Sequence, residues 1–372
     1  MAIVTAFRFT PQSGAICIDQ ESWHIWRRKN WFNDHLYDLL PSETTDLHHI
    51  ELIYGGTGHP PYHREVTGKA RILLQKHINE KKSETHEFTV PELAEVVLSV
   101  FQSVHRRRVN DKLKYLFGFN TDEFNAMEFQ KNGEKRAIKQ SCVKDRALSI
   151  VQGQAGMGYS PFGPPVEACL IGVDKKYGFS AFVLKEEDGV LSFQSCWFES
   201  IGQGRHGAAI RFADRLNDRF LNTRRQGEGN PEGLFVLLES IKESMDHFGQ
   251  NGGSIRCMLI DSNGETKEQR LLDIRDDIAR LAFEIVHTSQ NNLVSREKAV
   301  SMVWDLVNGK TTLEKCERTL FSNSEDSNRL GKLLRGYKIG EGNLPSNGPE
   351  GELFNGVKTA TAGKGEKSHD IN

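Results

Sequence analysis

The sequence contains no CxxC pair; its six cysteines, Cys17, Cys142, Cys169, Cys196, Cys257 and Cys316, are scattered along the chain. That spacing excludes a zinc ribbon and predicts reduced, mostly buried thiols in a cytosolic protein. An excess of charge is also missing. Lysine and arginine number 48 against 50 acids, a formal charge of −2, so there is no electrostatic footprint for nucleic acid or for an anionic membrane. No apolar run is long enough to span a bilayer, and the first residues lack the basic-then-apolar layout of a signal peptide. The expectation is a soluble, cytoplasmic chain with neither nucleic acid nor membrane as partner. What the chain does have is length. With 372 residues it can bury a sizeable core, as one large domain or one domain plus an appendage.

Apolar alternation starts at once. Residues Ile3 to Phe9 and Ala15 to Ile18 are β-branched, aromatic or small, and Pro11-Gln12-Ser13-Gly14 between them supplies turn chemistry. This predicts a hairpin that closes on Asp19. A further strand, Glu51 to Tyr54, runs into Gly55-Gly56-Thr57-Gly58, and a helix over Val66–His77 follows Pro60 and Pro61. Leu93, Val96, Val97, Val100, Phe101 and Val104 then repeat at helical spacing behind Thr89 as N-cap, and the basic run His105-Arg106-Arg107-Arg108 reads as the end of that helix, complementing its dipole. Between about Phe119 and Pro165 no period is sustained, and the segment reads as an insertion, partly mobile.

Strands return as an antiparallel meander over Ala168–Gly172, Gly178–Leu184 and Val190–Phe193. A corner, Ser200 to His206, opens a helix over Ala208–Phe220, and a second helix carries Leu234, Leu237, Leu238, Ile241, Met245 and Phe248 on one face before Gly249 ends it. Asn251-Gly252-Gly253 then turns into a strand over Ser254–Asp261. Thr266–His287 and Arg296–Val307 read as helices, and beyond about Ser322 the composition turns to Gly, Ser, Asn and Lys, as expected of a disordered tail. Strands, helix pair, strands, helix pair and strand together predict an antiparallel α+β layered fold.

This order, with several local phrases, resembles the proteasome-like N-terminal nucleophile hydrolases, that is, 20S proteasome subunits and the bacterial HslV peptidase. The hairpin closing on Asp19 is similar to the family's first two strands; Leu52-Ile-Tyr-Gly-Gly-Thr57 to its strand into a glycine corner; Leu170-Ile-Gly-Val-Asp174 and Ser200-Ile-Gly-Gln-Gly204 to its "G-x-D" hairpin and "I-G-S-G" corner. Gly252-Gly253 before an apolar strand fits as well. The resemblance implies a four-layer αββα sandwich over residues 1–262 with the insertion at about 119–165, a helical C-terminal extension over 263–321, and a tail over 322–372.

In that family the first residue is the catalyst: its hydroxyl or thiol attacks, and its own α-amino group, with a pKa near ~8, is the base. A lysine tunes the pair and an acid holds the lysine. The resemblance places the nucleophile at Met1 or Ala2, neither of which can attack. The lysine position falls near His35, with Lys29 the nearest lysine; the serine of the corner is Gln203, and the serine before the final Gly-Gly is Asn251. Asp19 alone is retained, and it reads more simply as a structural turn residue. The implied chain is therefore a member without the peptidase chemistry. The alternative is clipping of residues 1–4 to expose Thr5 as an amine-activated nucleophile.

Other constellations read as structural. His48, His49, His59 and His63 gather near the glycine corner, with His59 and His63 at i, i+4, but no HExxH glutamate accompanies them; they read as surface histidines, and no metal or cofactor is expected. Gly202-Gln203-Gly204-Arg205-His206 could cradle an anion, yet it lacks a P-loop spacing and reads as a tight corner, as does Gly55–Gly58. Trp23, Trp26, Trp31 and Phe32, interleaved with Arg27, Arg28 and Lys29, suggest packing or a subunit interface. The reading is a non-catalytic structural subunit of a ring-like homo-oligomer, with a protein partner for the apolar faces of the C-terminal helices, Leu281, Phe283 and Ile285, and Val300, Val303 and Leu306.

Overall fold

A computed structural model describes residues 3–19, 22–24, 27–29, 35–81, 86–151, 166–187, 190–195, 197–202, 204–213, 229–248, 255–274 and 276–334. Its strands are β1 (Ile3–Arg8), β2 (Ser13–Asp19), β3 (Ser22–His24), β4 (Arg27–Lys29), β5 (Leu36–Asp38), β6 (Glu51–Thr57), β7 (Glu128–Lys131), β8 (Glu134–Ala137), β9 (Glu167–Asp174), β10 (Gly178–Glu187), β11 (Val190–Ser195), β12 (Phe198–Gly202), β13 (Ile255–Asp261) and β14 (Leu271–Ile274). The helices are α1 (Ser42–His48), α2 (Pro60–Glu80), α3 (Val90–Phe117), α4 (Thr121–Asn125), α5 (Ser141–Val151), α6 (205–213), α7 (Asn230–Phe248), α8 (Lys267–Arg270), α9 (Asp276–Gln290), α10 (Arg296–Val307), α11 (Leu313–Asn323) and α12 (Ser327–Leu333). None of the described helices is long and apolar enough to cross a membrane.

The alternation of β1 sets the layers. Ile3 and Phe7 enter one core with α7, while Val4 and Ala6 enter another with strands of the opposing sheet. Two five-stranded sheets result, ordered β12-β1-β2-β13-β14 and β11-β10-β9-β6-β5, and their ladders are antiparallel. Between the sheets lie Val4, Ile16, Ile18, Ile53, Ile171 and Val183. Outside the second sheet, Leu74 of α2 and Leu93 and Val97 of α3 cover Leu52, Tyr54 and Leu170. Outside the first, Leu237 of α7, Leu281 and Ile285 of α9 and Val303 of α10 cover Phe7 and Cys17. Each such side chain, fully buried, contributes about 1.5–3 kcal/mol. The fold is mixed α+β with antiparallel sheets and helices on their outer faces.

Several local expectations are corrected. Gly55 and Gly56 form no corner but lie inside β6, paired with Cys169 and Ala168 of β9, and their neighbours leave no room for a side chain: a Cβ on Gly55 would meet Ile16 at 2.7 Å, and one on Gly56 would meet the His63 ring at 2.2 Å. The turn is made by Gly58, at φ 101°. The run His105–Arg108 does not end α3. The helix continues to Phe117 and stops at Gly118, φ 82°, so the dipole reading of those cations falls. Arg107 and Arg108 instead pair with Glu65 of α2.

The segment after Phe119 is ordered as far as Val151, because the second half of α3 brings Val109 and Leu113 to Phe119, Phe124, Ile138 and Ile150 in a small core of its own. Residues 152–165 lie outside the described residues. Thr266–His287 is not one helix: Leu271–Ile274 is a strand paired with β13, Ile260 opposite Leu271. The apolar faces of α9 and α10 are covered within the chain, with Leu281 and Ile285 at 0 % exposure, so they call for no outside partner. The chain past Ser322 also forms α12, which buries Leu330 against the same core; the remainder, from residue 335, lies outside the described residues.

Candidate functional site

The open end of the first hairpin is where the sequence directs attention. Met1 and Ala2 lie outside the described residues. The N–H of Ile3 donates to Asp19 Oδ1 at 3.0 Å, and Asp19 is fully buried. Asp19 is therefore no turn-former. The turn lies at the other end of the hairpin, and the Asp19 carboxylate ties β1 to β2 where the ladder runs out.

Thr5 lies two residues further in, with its backbone paired to Cys17 on one side and Ser200 on the other. Its hydroxyl shares a 3.0 Å hydrogen bond with the Ser200 hydroxyl, and both side chains are buried. By alternation it is on the same side of the strand as Ile3 and Phe7, which enter the core shared with α7.

His35 immediately precedes β5. It is buried, and its carbonyl accepts the Gly56 N–H at 3.1 Å. Its imidazole lies close enough to His63 to disfavour a charge there. Lys29, Arg27, Arg28 and Trp23 belong to the small β3–β4 ribbon, of which only the backbone is described. Gln203, Asn251, Trp26, Trp31 and Phe32 lie outside the described residues.

The glycine corner after β12 is occupied from within. Gly202 and Gly204 take φ of 90° and 102°. The Gly202 N–H donates to Glu167 at 2.9 Å, and Arg205 Nη1 donates to the other oxygen of the same carboxylate at 2.9 Å. The anion that this corner holds is the chain's own Glu167. Sequence reasoning overlooked Glu167, although an acid opening an otherwise apolar strand was a signal.

The histidines do not converge. His63 is no surface residue: it is fully buried between the Tyr54 hydroxyl, 2.7 Å from Nδ1, and the Thr57 carbonyl, 2.6 Å from Nε2. A carbonyl can only accept, so Nε2 carries the proton and Tyr54 donates to Nδ1. Burial holds the His63 pKa down to about 3, so the ring is neutral. His59 is the N-cap residue of α2 beside Arg108, 3.3 Å away. His49 takes a left-handed conformation, φ 53°, and its Nε2 lies 3.1 Å from the Ser262 carbonyl. Among the described residues no three His, Cys, Asp or Glu side chains are placed to hold a metal.

A second polar node was not legible at all. The Arg270 side chain is 0 % exposed and reaches Glu51 at 3.1 Å, Asp46 at 3.1 Å and the Thr45 carbonyl at 2.8 Å. Glu51, also fully buried, has its pKa raised to about 7, burial outweighing the attraction of Lys267 and Arg270. Nearby, a cleft of 990 Å³ runs between α2 and the Asp38–Ser42 segment. Lys267 lines it, pairing with Asp38 and donating to the Leu40 carbonyl at 3.0 Å.

Neither a family model nor a curated protein matches this chain. Among solved structures it is similar to Anbu (ancestral beta-subunit) from Yersinia bercovieri, at 11 % identity and a TM-score of 0.47, covering 78 % of this chain and 93 % of that one. A likeness at that TM-score carries no functional argument. The resemblance to 20S proteasome subunits and HslV is corrected: no family model places the chain among them.

Proposed function

We propose that the chain is a structural subunit of a homo-oligomer and performs no hydrolysis at the end of its first strand. The observation that carries this reading is Thr5, whose hydroxyl is buried and spent on Ser200 at 3.0 Å in a strand paired on both sides. An N-terminal nucleophile needs its own α-amino group beside its hydroxyl, both open to substrate. Making Thr5 terminal would strip out Ile3 and Val4, opposite Gly202 and Ile201, together with the N–H that Asp19 holds.

The neighbouring groups support the same reading. Asp19 and Glu167 both accept backbone N–H groups, so neither carboxylate is free for proton transfer. The layered αββα body then serves as a scaffold. Leu47 of α1 and Ile72 and Leu73 of α2, all exposed, give it apolar surface for association. Buried thiols at Cys17, Cys169, Cys257 and Cys316 suit the reducing cytoplasm.

Intact mass, sedimentation and a panel of fluorogenic peptides test this together. The expected result is a chain beginning at Met1 or Ala2, no peptide hydrolysis, and a particle several times the 42.0 kDa chain mass. A mature species beginning at Thr5, with hydrolysis abolished by Thr5→Ala, would overturn it. A 42.0 kDa monomer at micromolar concentration would remove the subunit role.

A further inference from the structure

Gly68 sits in the interior of α2, where glycine is the poorest helix former after proline. A Cβ built on it meets no atom within 4 Å, so nothing inside the chain requires a glycine there. Four residues on, Ile72 is 70 % exposed. At that same spacing one ridge of the helix reads Arg64, Gly68, Ile72, Lys76 and Glu80, and all five are exposed.

The ridge is its own complement. Rotation of a second copy about a two-fold axis through Ile72 reverses the order: Ile72 meets Ile72, Gly68 faces Lys76, and Arg64 faces Glu80 at both ends. We infer that this ridge is the surface through which two copies of the chain pair, α2 antiparallel to α2 of the second copy.

Each position has a physical role in that pairing. The missing side chain at Gly68 leaves space over the backbone for the methylene stem of Lys76 from the second copy, with its ammonium at the rim. Among the described residues Glu80 pairs with Lys76 at 3.6 Å, both more than 60 % exposed, and a surface pair of that kind yields to Arg64 of the second copy without loss of burial. Leu73, 42 % exposed, and the 990 Å³ cleft lined by Ile72, Gln75 and Lys76 flank the ridge, so apolar surface is covered beside the axis. A two-fold contact of this kind is isologous, and it is the commonest symmetry of soluble homo-oligomers.

The inference rests on the oligomeric reading above and gives it a surface. Sedimentation velocity of the full chain, with circular dichroism on each variant, tests it. Ile72→Glu and Gly68→Gln are expected to halve the particle mass or reduce it further while the helical signal and melting temperature hold, since glutamine is the better helix former. Arg64→Glu and Glu80→Arg should each weaken the assembly, and the double exchange should restore it, because only the antiparallel register returns opposite charges to each other. An assembly untouched by all of these variants overturns the inference and leaves the oligomeric reading standing. A double exchange no better than its single variants overturns the two-fold register. A wild type at 42.0 kDa overturns both inference and reading.

Discussion

The hydroxyl of Tyr54 donates to Nδ1 of His63 across 2.7 Å, both side chains fully buried. The imidazole is thereby locked in one tautomer between β6 and α2, and its pKa lies far below that of a free histidine.

The first prediction follows from that pKa. In the unfolded chain the group titrates near 6.5, and in the fold near 3, because burial disfavours the cation. Between those values the unfolded state binds the extra proton, so stability is fully present above about 6.5 and falls as the pH drops toward 3, by up to about 1.4 kcal/mol per pH unit. Urea unfolding across that range should show the fall in the wild type and a flatter limb in His63→Gln. Equal slopes would contradict the assignment.

Gly56→Ala should be costly. Its Cβ would sit 2.2 Å from His63 Nδ1, and the ring is held on both sides, so strand and helix must part. A loss of about 1–3 kcal/mol is expected by chemical denaturation. Gly68→Ala is the control: its Cβ meets nothing, and the folded monomer should gain up to about 1 kcal/mol.

Glu51 is predicted to oppose His63 in sign. Its folded pKa, about 7, lies above the ordinary 4.5, so its contribution is complete below about 4.5 and is lost as the pH rises through 7. Glu51→Gln should remove that alkaline decline. Glu51→Ala leaves the fully buried Arg270 without its buried carboxylate and should cost about 3–5 kcal/mol in a urea titration at neutral pH.

Arg296 should prove the clamp between α10 and α7. Its guanidinium meets Glu239 at 2.7 Å and Glu232 at 2.6 Å, and lies 4.8 Å over the Phe235 ring. Arg296→Ala should lower stability by about 1–3 kcal/mol. Arg296→Lys should recover only part of that, since one ammonium cannot fork between two carboxylates while stacking on a ring. Full recovery by lysine would mean that charge alone holds the helices.

The sequence by itself determined what is periodic and local. The hairpin ending at Asp19, the meander from Ala168 to Phe193, the apolar face of α7 and the N-cap at Thr89 were all legible, because apolar spacing and capping residues act within a few positions. Only the tertiary structure decided what depends on distant partners. Gly55 and Gly56 are strand residues because β9 pairs with them and Ile16 and His63 admit no side chain there, and β14 is a strand because β13 offers it a ladder. The cations at His105–Arg108 lie mid-helix because Val109 and Leu113 find a second core. Glu167 reaches the Gly202 corner from 35 residues away, and Arg270 reaches Glu51 from 219. No local rule carries those separations, because burial makes a polar group seek a partner wherever the packed layers bring one within reach.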